Sequence, residues 1–123
     1  MLEYISEKLN LSKEEALKIG ACFGGGMWHG ETCGCVVGAL IALGIKYGTT
    51  TPNDKDAKDK LLAMKAELEE KFSKKNGSCK CKEILGYDLS TEDGMAKIME
   101  KKLLQTKCPK VVLNTCDILD EMI

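Results

Sequence analysis

The sequence predicts an all-α protein of one domain, residues 1–123, built as a compact bundle of about six or seven helices around a central apolar helix. Three observations carry that expectation. Only six residues are Phe, Trp or Tyr and only two are Pro, whereas Leu, Ala, Met, Lys and Glu are plentiful, a composition that favours helices over strands. Apolar residues recur at spacings of three and four, and no segment holds the period of two that a half-buried strand requires. Glycine-rich or Asn-Gly breaks separate these segments, and the length is enough for a core that needs no disulfide staples.

The first pattern, Tyr4, Ile5, Leu9 and Leu11, predicts a short helix with its polar residues outward. Ser12 and Glu15 have capping-box spacing, so a second helix is expected from Ser12 to Phe23, with Ala16, Ile19, Gly20 and Phe23 on one face. "GGGMWHGE" stops it, and residues 24–31 are expected to form a tight loop passing close to another backbone or a ligand. Thr32 is the expected N-cap of a third helix, Cys33 to Tyr47, stopped at Gly48. It is apolar almost all round and hence central. Its Gly34, Gly38 and Ala42 make a flat strip for close helix packing, within the chain or across a homodimer.

Residues 49–77 predict a long amphipathic helix with the stripe Ala57, Leu61, Met64, Leu68 and Phe72. Asp54 with Lys58, Asp56 with Lys60, and Glu67 with Lys71 are spaced to pair on its solvated face, each worth about 0.2–0.5 kcal/mol. After Asn76-Gly77 comes a short helical turn ending at Gly86. A sixth helix is expected from Ser90 or Thr91 to about Leu103, with Asp93 completing its cap. The last helix opens on Cys108 as N-cap with Pro109 in its first position.

Eighteen basic against nineteen acidic residues leave a net charge of −1, which argues against a nucleic-acid surface or a polybasic membrane anchor. The longest apolar run, Val36 to Ile45, is half the roughly 20 residues a bilayer span needs. The amphipathic, charged N-terminus has no export-signal pattern, so a cytoplasmic location is expected. There, seven cysteines point to metal binding or redox chemistry rather than to a disulfide framework.

Cys33 and Cys35 fall in the first turn of the central helix, where unpaired N–H groups and the helix dipole favour a thiolate. Cys81 opens the short helical turn, and Cys108 repeats the placement of Cys33. Cys33, Cys81 and Cys108 are therefore the expected working thiols, while Cys35 reads either as a further one or as a small core residue. Gly25, Gly26 and Gly34 are expected to let the backbone close on a bound group. Cys79 is expected to face elsewhere, being next but one to Cys81. Cys116, about 12 Å along the helix from Cys108, aligns with Val112, Leu119 and Ile123 and reads as packing. Cys22 also reads as core, His29 as a surface loop residue and Trp28 as packing that closes the loop. No paired-carboxylate, Ser-His-Asp or phosphate-loop constellation stands out.

"FGGGMWHGETCGCVVGALIALGIKYG", "CKEILGYDLSTEDG" and "TKCPKVV", in that order and at these separations, resemble the C_GCAxxG_C_C family of redox-active proteins over nearly the whole chain from about Ile5. The resemblance implies a small helical bacterial or archaeal protein, often from anaerobes, with four cysteines carrying redox chemistry or an iron–sulfur cluster. Similar sequence accompanies haem-binding segments in split-Soret cytochromes c, but this chain has no C-x-x-C-H haem attachment site. The central motif falls on Cys33, Gly34 and Gly38, the third cysteine on Cys81 and the last on Cys108, while Cys35 stands where the family usually has alanine. The family's first cysteine is expected in the N-terminal helix, and "MLEYISEKLN" holds none, as if the chain began just after it. A four-thiolate cluster then needs a substitute ligand, Cys35 first, with Cys79, Cys22, His29 or a second subunit behind it.

Three readings stay open. The chain is an electron-transfer protein with a thiolate-ligated metal or iron–sulfur centre on Cys33, Cys35, Cys81 and Cys108, serving an unidentified redox partner protein. Alternatively it is a metal-free dithiol protein cycling a disulfide between Cys33 and Cys81 or Cys108. The third reading is a helical interaction module whose cysteines are mostly core.

Overall fold

A computed structural model describes residues 1–123. Eight α-helices follow one another: α1 (Leu2–Ile5), α2 (Lys13–Gly20), α3 (Gly34–Tyr47), α4 (Lys55–Asn76), α5 (Cys81–Leu85), α6 (Glu92–Glu100), α7 (Leu103–Thr106) and α8 (Cys108–Met122). The count exceeds the expected six or seven because the sixth predicted helix is two, broken where Lys102 takes a left-handed φ of 54°. No helix is long and apolar enough to cross a membrane.

Helix α3 is central, as its composition demands. Val36, Ala39, Ala42 and Leu43 are buried there with Leu68 and Phe72 of α4, Ile118 and Leu119 of α8, and Leu2 and Ile5 of α1. The small-residue strip is filled from within the chain: a Cβ on Gly38 would lie 3.2 Å from Met1 Cγ and 3.8 Å from Leu2 Cγ. A smaller core of Cys81, Leu85, Leu89 and Ile98 forms under α5 and α6, with Leu103, Leu104 and Cys108 packed against it.

Local signals set several boundaries. Ser12 makes both bonds of its capping box, its Oγ accepting from Glu15 N at 3.0 Å and its own N–H donating to Glu15 Oε2 at 2.9 Å. Asp54 caps α4 by accepting from Ala57 N at 3.1 Å, and Gly77, at φ 90°, ends it. The stripe on α4 faces the core, with Leu68 and Phe72 fully buried.

Other boundaries move. Helix α2 stops at Gly20 rather than Phe23, because the chain turns to lay the Phe23 carbonyl against the start of α3. Ile19, expected inside, is 40% exposed as a result, and Cys22, expected in the core, is exposed. The N-cap of α3 is Cys33, not Thr32. Thr91 alone caps α6, accepting from Gly94 N at 3.0 Å, so Ser90 and Asp93 do not. Lys107 is already near-helical where α7 runs into α8, which makes Cys108 the first helical residue rather than the cap, with Pro109 second.

Of the three acid–base pairs expected on α4 only Glu67–Lys71 forms, at 2.9 Å. The Asp54 carboxylate is engaged in its cap, and Lys60 lies 5.8 Å from the centre of the Tyr47 ring. Lys55–Asp59, Lys65–Glu69 and Lys74–Glu70 pair instead.

Candidate functional site

The loops ahead of α3 and α5 meet in a single antiparallel bridge between Thr32 and Lys80. Cys33 N–H donates to the Cys79 carbonyl at 2.7 Å and Cys81 N–H to the Glu31 carbonyl at 2.6 Å. These two bonds tether the start of α3 to the start of α5. Cys33 is the N-cap of α3, Cys35 lies in its first turn, and Cys81 and Cys108 open α5 and α8. All four cysteines line one cavity of about 450 Å³, between the two cores.

Glycine chemistry closes one wall. Gly25, Gly26, Met27 and Trp28 all hold φ between 59° and 63°, a left-handed turn ahead of Gly30. Each non-glycine residue there carries a penalty of roughly 1–2 kcal/mol. A Cβ on Gly26 would stand 2.5 Å from Glu31 N and 2.9 Å from Cys81 Cβ, so bare backbone presses directly on Cys81. Gly34 serves α3 similarly, since a Cβ there would lie 2.8 Å from the Phe23 carbonyl oxygen. Gly25, Gly26 and Gly34 all line the cavity. Trp28 does not close the loop as a packed residue. Its ring lies against Gly25, yet it is 57% exposed.

The four thiols are not equivalent. Cys33 is lowered to about 7, first by the neighbouring Cys35 thiol, which keeps its proton, and then by the amides of Cys35 and Val36, against the opposing effect of burial. Its sulfur makes no cap hydrogen bond of ordinary geometry, so the amides act on it as dipoles. Cys35 is raised, first by Cys33 and then by burial. The Thr115 hydroxyl, buried and donating to the Val111 carbonyl at 2.7 Å, also acts on Cys35. Cys81 is pushed up to about 11 by burial and then by charge on Cys33 and Cys108, and Cys108 is raised by burial and then by Cys33. Cys33 is thus the thiol that ionises first, and the others feel its charge.

The remaining candidates lie elsewhere. Cys79 turns to α4, its Sγ 3.2 Å from Ser73 Oγ and 3.6 Å from the Glu69 carbonyl. Cys116 is buried on α8, and His29 is exposed in the loop near Asp88. No three His, Cys, Asp or Glu side chains are grouped closely enough to hold a metal ion as they stand.

The far half of the cavity is made by α1 and α2, through Met1, Leu2, Ala16, Leu17 and Gly20, with Glu3 its only charged side chain. Sequence reasoning missed this half. Its signal was the small residues Ala16, Gly20 and Ala21 along α2. Thr115 was also missed, although it is a hydroxyl on the buried stripe of α8, seven residues from Cys108.

Compared with known families, residues 1–122 match the sequence model described as "Putative redox-active protein (C_GCAxxG_C_C)". No curated protein and no solved structure matches the chain.

Proposed function

We propose, from the premise that the chain belongs to the C_GCAxxG_C_C family of redox-active proteins, that its thiol-lined cavity is an electron-transfer centre holding an iron–sulfur cluster. Cys33, Cys81 and Cys108 would be its ligands, with Cys35 as the fourth thiol. The observation that carries this reading is the gathering of four thiols, from the starts of three helices, around one apolar cavity of about 450 Å³.

Four thiolates around a zinc-sized ion sit roughly 3.8 Å apart, given metal–sulfur bonds of about 2.3 Å. A polynuclear core holds its thiolates further out. Thiols from three separate helix starts that face one cavity of about 450 Å³ leave room for such a core. When bound, the cluster supplies one-electron storage. The chain's own contributions are the positive ends of α3 and α8, which offset thiolate charge, and apolar walls that keep water out. Cys33, lowered to about 7, is available as thiolate near neutrality. A cytoplasmic location, where the thiols stay reduced, belongs to the same proposal.

Protein purified without oxygen tests this directly. Iron and acid-labile sulfide with visible absorption bleached by dithionite are expected, and Cys33→Ser, Cys81→Ser and Cys108→Ser should each lose them. A colourless, iron-free protein overturns the cluster reading. Metal-free thiol chemistry is the second reading, favoured by the pairing of an easily ionised Cys33 with a protonated Cys35. Cys33 would then be the thiolate that attacks a substrate disulfide.

A further inference from the structure

We infer that Cys33 and Cys35 pair with each other, giving the cluster-free chain a two-electron dithiol/disulfide couple within the segment Cys33-Gly34-Cys35, with a small neutral disulfide as oxidant. This rests on the second reading above, thiol chemistry at Cys33, and assigns its partner. Inside a helix, residues two apart point about 200° away from each other. At the N-cap the geometry differs, because Cys33 has a non-helical ψ of 136°, which turns its Cβ away from the direction a helical residue would give it. Cys33 is that cap and Cys35 is the second helical residue. Helix geometry puts the Cα atoms of such a pair about 5.4 Å apart, inside the roughly 4.4–6.8 Å that a disulfide spans. Gly34 between them has no side chain to oppose closure.

The other cavity thiols are worse placed. The Thr32–Lys80 bridge sets Cys33 opposite Cys79, with Cys81 its diagonal neighbour. Diagonal positions lie about 7–8 Å apart, beyond disulfide reach unless two hydrogen bonds of 2.6 and 2.7 Å yield. The Gly26 backbone also packs on Cys81. Cys79 is opposite Cys33, but its sulfur is turned to Ser73 and Glu69 of α4. Cys108 belongs to the second core.

The steps balance. Cys33 thiolate attacks one sulfur of a disulfide R–S–S–R, forming a mixed disulfide and releasing RS⁻. The Cys35 sulfur then attacks Cys33 Sγ, its proton going to the second leaving sulfur, which departs as RSH. The dithiol has lost two electrons, and the small disulfide has gained them. A cavity lined mostly by apolar side chains favours a neutral oxidant, which gives up no charge hydration on entering.

The test uses bis(2-hydroxyethyl) disulfide on iron-free wild-type protein, followed by alkylation in denaturant and cleavage after Glu31 and Lys46. The resulting peptide, Thr32–Lys46, contains no cysteine besides Cys33 and Cys35. Mass analysis should show it unalkylated and lighter by two hydrogens, and Cys35→Ala should instead accumulate the mixed disulfide on Cys33. The same peptide joined to one bearing Cys79, Cys81 or Cys108, or a lasting mixed disulfide on Cys33 beside alkylated Cys35, overturns the pairing while leaving thiol chemistry at Cys33 intact. Both cysteines alkylated overturns the pairing and the reading on which it rests.

Discussion

Cys33 shows how little sequence separates a reactive thiol from an inert one. Its neighbour two residues on keeps a proton that Cys33 releases, so the alkylation rate of Cys33 in iron-free protein should rise through about pH 7. Cys35→Ala removes the largest cause of that lowering and should move the midpoint up towards the ordinary thiol value of 9.0. Stability should follow the same protons. Between about 7 and 9.0 the unfolded chain holds a proton on Cys33 that the folded chain does not, so stability rises with pH. From 9.0 to about 11 the sign reverses, because folded Cys81 keeps a proton the unfolded chain has lost. Urea melts across this range should therefore show a maximum near pH 9, and Cys81→Ala should lessen the alkaline fall without abolishing it, since Cys35 and Cys108 are raised as well. Gly26→Ala tests the wall behind Cys81. With φ at 61° and Glu31 backbone 2.5 Å from the new Cβ, it should lower stability by at least about 1–2 kcal/mol in thermal melts. At this scale the placement of Cys33, Cys81 and Cys108 at helix starts was readable, because a glycine-rich loop, a short turn and a proline each mark a start. The exposure of Cys22 was not, since it depends on where α2 ends, and a contact with Gly34 decides that.

Elements whose boundaries rest on their own side chains were the readable ones. Ser12 with Glu15 and the stripe of α4 are local patterns, and both form. Ser12→Ala should cost about 1 kcal/mol through loss of the cap and its reciprocal bond, measured as a lower urea midpoint with an unchanged slope. Thr91→Ala should cost about as much at α6. The cap of α3 escaped because cysteine is no habitual cap. What makes Cys33 the cap is the bridge to Lys80, formed with a segment 48 positions downstream. The tight glycine loop ahead of α3 forms as expected at Gly25 and Gly26, but its extension to Met27 and Trp28 escaped for a related reason: glycine announces that positive φ is possible, and nothing in Met27 or Trp28 announces that they follow.

Two cores share the molecule, and the cavity lies where they meet. The larger one should set global stability. Phe72→Ala, at a fully buried position of α4, should cost about 3–5 kcal/mol while leaving the pH dependence of Cys33 alkylation unchanged, a pairing of readouts that separates packing from chemistry. The all-helical class and the central place of α3 were legible in the composition. The division into two cores was not, because it depends on how α5 to α8 fold back over residues far away in sequence. The Thr32–Lys80 bridge also makes α3 and α4 a hairpin clasped at its base. The tip of that hairpin, the exposed turn at residues 48–53, lies at the end of α3 remote from the thiols, about 20 Å away along a helix of 14 residues. Added residues at Thr50 would enter only as loop entropy, about 0.6 kcal/mol for each doubling of the turn. The tip is thus where this chain can accept insertions, tags or a fused domain while the clasp holds the thiols in register.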